Sequence, residues 1–183
     1  MKKLLLAVIV SLSTVTTAAL AEIKVGIILG FTGPIESLTP AMRDGARMAF
    51  DEASNSGNLL GGESITILEA DSTCVDSAAA TAAAEDLVAQ GVTAIMGADC
   101  SGVTGAINAN VAVPNGILMV SPSATSPGLS KVPDNGTFWR TAPSDAKGGQ
   151  VLAKLALSRG IESIAVTLSL IHISEPTRPS SSS

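Results

Sequence analysis

Ile23-Lys24-Val25-Gly26-Ile27-Ile28-Leu29 is a β-branched, nearly uninterrupted apolar run, followed at once by the turn-rich stretch Gly30 to Pro40. It predicts a strand buried on both faces of a parallel sheet, because a strand with one wet face would alternate polar and apolar residues. From Ala41 to about Ser54, Met42, Ala46, Ala49 and Ala53 recur at steps of four, three and four, which places them on one helical face, and Gly57 to Gly62 ends that helix. Ile65 to Leu68 predicts a second strand and Asp71 to Asp76 the loop after it. Asp76 suits the N-cap of an alanine-rich helix reaching Gln90, with Gly91 as its stop. Val92 to Met96 predicts strand three, a Gly97 loop leads to a helix from about Ser101 to Ala112, and Pro114-Asn115-Gly116 breaks it before a fourth strand, Ile117 to Val120. Strands alternating with helices in this way predict an α/β fold, an open doubly wound parallel sheet. Phe138 to Thr141 then leads through Pro143 into a helical segment, Asp145 to Ser158, and Ile164 to Val166 begins a further strand. The expected organisation is a lobe over residues 22–141 and the start of a second over 142–167.

Composition narrows the class. Of 183 residues, 46% are hydrophobic and 15% charged, which is globular and excludes intrinsic disorder. Residues 22–167 carry eight Lys and Arg against 15 Asp and Glu, so a nucleic-acid partner is not expected. With three Phe, one Trp and no Tyr, the chain cannot build a base-stacking platform or an aromatic sugar cradle.

The two ends read differently from the middle. Met1 to Ala21 opens with Lys2 and Lys3, continues through the apolar run Leu4 to Val10 and closes on Ala19-Leu20-Ala21. This is the pattern of a secretory signal peptide cleaved near Ala21, and the apolar run is far shorter than the roughly 20 residues of a membrane-spanning helix. The expected location is the periplasm. Leu168 to Arg178 (LSLIHISEPTR) resembles the conceptual translation of a sequencing-library adapter, although a Ser/Pro-rich tail has a similar composition. The only histidine, His172, lies within that segment.

In open α/β sheets ligands collect outside the carboxyl ends of the strands, where loop amides and helix N-termini converge. Those ends carry Gly30 to Pro34, Asp71 to Cys74, Gly97 to Gly102 and Ser121 to Thr125, so the hydroxyl-rich clusters share one rim. The loop Gly97 to Gly102 opens a helix, and its amides with the Ser101 hydroxyl suit a carboxylate or phosphate; the alternative is helix capping by Asp99 or Ser101. Ser123 and Thr125 converge from the next strand's end. Cys74 and Cys100 are the only cysteines, and in an exported chain an even count makes a disulfide the default, worth about 3.5 kcal/mol by loop-closure entropy. A redox pair or metal ligation are the alternatives, with spacing far from C-x-x-C and no third ligand near. Gly26, Gly30 and Gly33 do not fit G-x-G-x-x-G, and Asp44, Asp51 and Glu52 fall along a solvated helix face. No catalytic group, metal site or cofactor is expected.

These residues resemble the periplasmic solute-binding proteins of branched-chain amino acid ABC importers, the leucine/isoleucine/valine-binding type. The likeness spans nearly all of residues 22–167. It rests on Ile23 to Gly26 with Thr32-Gly33-Pro34, Asp44-Gly45-Ala46-Arg47, Gly97 to Ser101, Met119 to Pro127, and Arg140-Thr141-Ala142-Pro143-Ser144-Asp145. The resemblance implies two α/β lobes closing on a ligand, with Ser101 and Thr125 on an amino acid's carboxylate. The Ser123 carbonyl and Thr125 hydroxyl would hold the ammonium on the segment Ser123-Ala124-Thr125, Leu38 would stand where some relatives place an aromatic side chain over the ligand, and Cys74 and Cys100 would pair. The implied partners are a small amino-acid ligand and the permease subunits of an ABC importer, the receptor itself acting as a monomer. A sensor's ligand-binding domain is the second function class, and urea, short amides and aromatic acids are alternative ligands. Part of the site would come from the second lobe, so the chain is expected to bind weakly or not at all.

Overall fold

The computed structural model describes residues 22–59 and 62–165. The expected signal peptide, Met1 to Ala21, and the segment from Leu168 onward lie outside the described residues. Strand β1 (Ile23–Leu29) occupies the predicted run, and its last five residues are buried. It pairs on one side with β2 (Ile65–Asp71) and on the other with β3 (Ala94–Gly97), followed by β4 (Leu118–Ser121) and β5 (Phe138–Arg140). Every pairing is parallel, in the order β2-β1-β3-β4-β5, so the sheet is of the open α/β kind. Helices α1 (Thr39–Asn55), α2 (Ser77–Ala89) and α3 (Ser101–Ile107) connect the first four strands, and α4 (Asp145–Ser158) follows β5.

Register builds the core. Gly26, Ile95, Met119 and Phe138 form one row across four strands, on the face covered by Ala80, Ala84 and Leu87 of α2 and Val103 and Ile107 of α3. Ala80, Ala84 and Leu87 recur at helical spacing and are buried, so the alanine-rich helix lies close against the strands. Gly26 allows this: a Cβ there would stand 2.8 Å from Leu87 Cδ1, closer than side chains tolerate. Asp76 caps α2, accepting from the N–H groups of Ala78 and Ala79. On the outer side of α1, Asp44, Asp51 and Glu52 are exposed as the sequence reading placed them.

Boundaries shift where backbone hydrogen bonding outweighs hydrophobicity. β2 continues three residues past Leu68, because Glu69, Ala70 and Asp71 remain in register with Ile27, Ile28 and Leu29. β3 and β4 begin later than their apolar runs: the Val92 N–H donates to Leu87 and the Ile117 N–H to Ala112, so both residues still close the preceding helix. Beyond Ile107 the chain keeps turning through a π turn (Asn108–Ala112) and a last turn (Val113–Asn115). There the Val113 N–H reaches Asn108 O, and Pro114, which has no N–H to offer, sits just after it. The strand expected from Ile164 is not formed at Ile164 and Ala165, which have no neighbouring strand to pair with among the described residues; Val166 lies outside them. Helix α4 leaves Val151, Leu152, Leu155 and Leu157 exposed.

Candidate functional site

Because all five strands run the same way, the loops after them gather along one edge. Asp99, only 3% exposed, ties three of these loops together. Its carboxylate accepts from the Gly30 N–H (2.7 Å), the Cys100 N–H (2.9 Å) and the Ser72 hydroxyl (3.3 Å), linking the ends of β1, β2 and β3. Composition and spacing had offered Asp99 or Ser101 as a helix cap. Instead Cys100 holds the N-cap position of α3 without a side-chain cap bond, and Asp99 serves the loops. Cys74 and Cys100 form a disulfide with Cα atoms 5.2 Å apart, so the same two loops are also covalently joined.

A second carboxylate organises the outer rim. Asp71 Oδ2 accepts from the Thr32 hydroxyl (2.5 Å), and Oδ1 from the N–H groups of Thr73 (2.8 Å) and Thr32 (3.3 Å). Partial burial works to raise its pKa, but the bonds from the Thr32 hydroxyl and from the Thr73, Thr32 and Phe31 amides together outweigh it, and the carboxyl is held below its ordinary value.

The loop after β4 is fastened from below. Buried Ser121 donates from Oγ to the Ala98 carbonyl (2.5 Å) and accepts from the Ala124 N–H (3.0 Å). Ser123 donates to the Asp99 carbonyl (3.0 Å), and the Ser126 N–H donates to Ser101 Oγ (3.1 Å). That last bond brings Ser101 of α3 against the residue next to Thr125. Arg140, at the end of β5, donates to the carbonyls of Ala124 (3.1 Å) and Ser126 (2.8 Å) and to Ser130 Oγ (2.5 Å). Thr125 donates its hydroxyl to Asp145 Oδ2 (2.9 Å), while the Asp145 N–H returns a bond to the Thr125 carbonyl (3.0 Å).

Of the residues singled out from sequence, Ser101, Ser123, Ala124 and Thr125 therefore meet at one place. Ala124 is fully buried with both main-chain polar groups engaged. Leu38 stands immediately before α1 and is 53% exposed. Sequence reasoning placed Ser121 on this rim without its fastening bonds, and missed Arg140 and Asp145 as parts of this edge. Each acts through a partner more than a dozen residues away or through a backbone group, so no local spacing announces it. Two surface grooves, one along the outer face of α1 at Asp44, Met48 and Glu52 and one beside α4 at Leu152 and Ile161, lie away from this edge.

The periplasmic binding protein family matches over residues 22–169, most of the chain. The chain belongs to the periplasmic binding protein family. A Leu/Ile/Val-binding protein of Rhizobium johnstonii is 32% identical over 155 residues, which cover 85% of this chain and 41% of that protein. The chain thus spans about two-fifths of the length of the curated relatives it matches. Among solved structures, the branched-chain amino acid transporter substrate binding protein of Streptococcus pneumoniae, in complex with isoleucine, aligns with a TM-score of 0.60 and 31% identity, covering 68% of this chain and 34% of its own. A solute binding protein of Rhodopseudomonas palustris in complex with 3,4-dihydroxy benzoic acid shares the fold at 18% identity and a TM-score of 0.66, covering 76% of this chain and 37% of its own. The family is one of binding proteins, and this periplasmic binding protein fold presents its loops as an open ledge.

Proposed function

We propose that this chain carries the first lobe of an extracytoplasmic receptor that delivers a branched-chain amino acid to an ABC importer, with residues 22–141 forming that lobe and 142–167 opening the second. The observation that supports the reading is the bond from the Ser126 N–H to Ser101 Oγ, which brings the first residue of α3 against the residue that follows Thr125 at the carboxyl ends of the strands. A zwitterion needs such polar groups for its two charges and apolar walls for its side chain. In this reading Ser101 and Thr125 meet the ligand's carboxylate, Thr125 and the Ser123 carbonyl hold its ammonium, and Ala124 shapes the loop. Leu38 lines the side-chain wall. The named relatives bind leucine, isoleucine and valine, and a disulfide suits an oxidising compartment outside the cytoplasm. The permease, the second lobe's contacts and the monomeric state belong to the same proposal.

The test is an amide-resolved NMR titration of the 183-residue chain with leucine. One lobe leaves most of the ligand in water, so millimolar binding is expected, with shifts confined to amides near Ser101 and Ser123 to Ser126. Micromolar affinity by calorimetry would refute the idea of half a site, and the absence of any shift at those amides would refute the site itself.

A further inference from the structure

Two asparagines precede a glycine, in Asn115-Gly116 and Asn135-Gly136. That dipeptide is the least hindered setting for an asparagine to react with its own backbone, because glycine puts no side chain beside the amide nitrogen that attacks. The structure treats the two sites oppositely. Asn115 ends the helical turn Val113–Asn115, and its Nδ2 donates to the Val111 carbonyl (2.8 Å), which draws the side chain back along the helix. The Gly116 N–H donates to the Val113 carbonyl (3.3 Å), so both reacting groups are engaged.

Asn135 stands instead in a two-residue turn before β5. The Thr137 N–H donates to the Asp134 carbonyl (2.9 Å), and Asn135 and Gly136 take positive φ, +51° and +77°, as in a type I′ turn. Both residues are exposed, and the Asn135 side-chain amide makes no hydrogen bond among the described residues. The Gly136 N–H donates to Asp134 Oδ1 (2.9 Å), so a carboxylate already stands where that proton has to leave.

We propose that Asn135 is a site of self-modification, with the Gly136 nitrogen as nucleophile, Asp134 as the group that takes its proton, and water as the co-reactant. The Gly136 nitrogen bonds to Asn135 Cγ as its proton passes to Asp134; the Cγ–Nδ2 bond then breaks, and ammonia leaves carrying that proton. Water opens the resulting succinimide at either carbonyl, giving aspartate or isoaspartate. Isoaspartate adds a methylene to the main chain of the turn. Next to it, the Thr137 carbonyl accepts the Met119 N–H of β4 (2.8 Å), and Trp139 Nε1 donates to the Gly136 carbonyl (3.2 Å). Arg140, which fastens the loop after β4, follows directly, so the change reaches the ligand edge through the three residues of β5.

The test is peptide mapping by mass spectrometry of the 183-residue chain aged in mildly alkaline buffer, with a parallel sample in urea. In buffer the peptide holding Asn135 is expected to convert from amide to acid at least about tenfold faster than the one holding Asn115, as for a helix end that must first release two hydrogen bonds. In urea the two rates should come within about twofold, because each asparagine is then free beside a glycine. Asp134→Asn should slow the conversion of Asn135 in buffer several times. Trp139, the only tryptophan, should shift its emission as wild type ages, and far less in Asn135→Asp, which carries the acid but keeps the length of the turn. Equal rates at the two asparagines in buffer would overturn the proposal. Undiminished conversion in Asp134→Asn would overturn the part given to Asp134, and an emission that stays constant while isoaspartate accumulates would overturn the link to β5.

Discussion

Asp99 is almost fully buried, yet it takes part in neither ion pair among the described residues; three donors from three loops hold its carboxylate instead. Truncation in Asp99→Ala would leave the Gly30 and Cys100 N–H groups and the Ser72 hydroxyl without an acceptor. Unfolding in urea is expected to show a loss of about 3 kcal/mol, and a loss below about 1 kcal/mol would mean that water replaces the carboxylate. Asp71 makes a different expectation, one that depends on pH. Its folded pKa lies below the ordinary 3.8, so its contribution is fully present above that value and fades as pH falls through the lower folded one. Thr32→Val removes the hydroxyl bond that helps to depress it. The melting temperature of this variant should fall below wild type near neutrality, and the gap should narrow as pH falls below the ordinary carboxylate range; a gap independent of pH would show that Thr32 acts through packing alone. Gly97 is a third single-residue device: its φ is +134° and a Cβ there would overlap the Ile28 carbonyl, which lets β3 end against β1 just before Asp99. The sequence marks Gly97 only as a loop residue, since the steric partner is nearly seventy positions away.

At the level of elements, the disulfide and the helices were legible to different degrees. Cys74 and Cys100 stood out as a pair because they are the only two cysteines, and the structure joins them across the loops after β2 and β3. Replacing both by serine is expected to cost about 3.5 kcal/mol of stability, read from denaturant midpoints, with reductant having little further effect on the variant. A loss well under about 1 kcal/mol would show that the Asp99 bonds already hold these loops. α2 was read nearly to the residue, because the Asp76 cap and the Gly91 stop are local chemistry written in the chain. Strand ends and the tail of α3 were not. β2 gained Glu69 to Asp71 through pairing with β1, β3 and β4 lost their first residues to helix-closing bonds, and the helical path ran past Ala112 through a π turn to Asn115. Each of these is decided by which backbone partner lies nearest, and partners distant in sequence leave no periodic trace.

For the whole molecule, the proposed activity depends on what faces the ledge. Five parallel strands put every ligand-side loop on one edge, but an edge alone leaves a ligand in water, which is why millimolar rather than micromolar affinity is expected of this chain. The exposed apolar residues of α4 and the unpaired Ile164 and Ala165 agree with an element whose packing partners are not among the described residues. The sequence by itself determined the fold class, the order of strands and helices, the disulfide pair and the cluster Ser101, Ser123, Ala124 and Thr125. All of these follow from local hydrophobic period, capping and turn chemistry, from a count of two cysteines, or from motifs contiguous in the chain. Only the tertiary structure decided how these hydroxyls are bonded. That depends on Ser126 reaching Ser101, Ser123 reaching the Asp99 carbonyl and Thr125 reaching Asp145, contacts between residues at least twenty positions apart that exist only once parallel strands have brought their ends together.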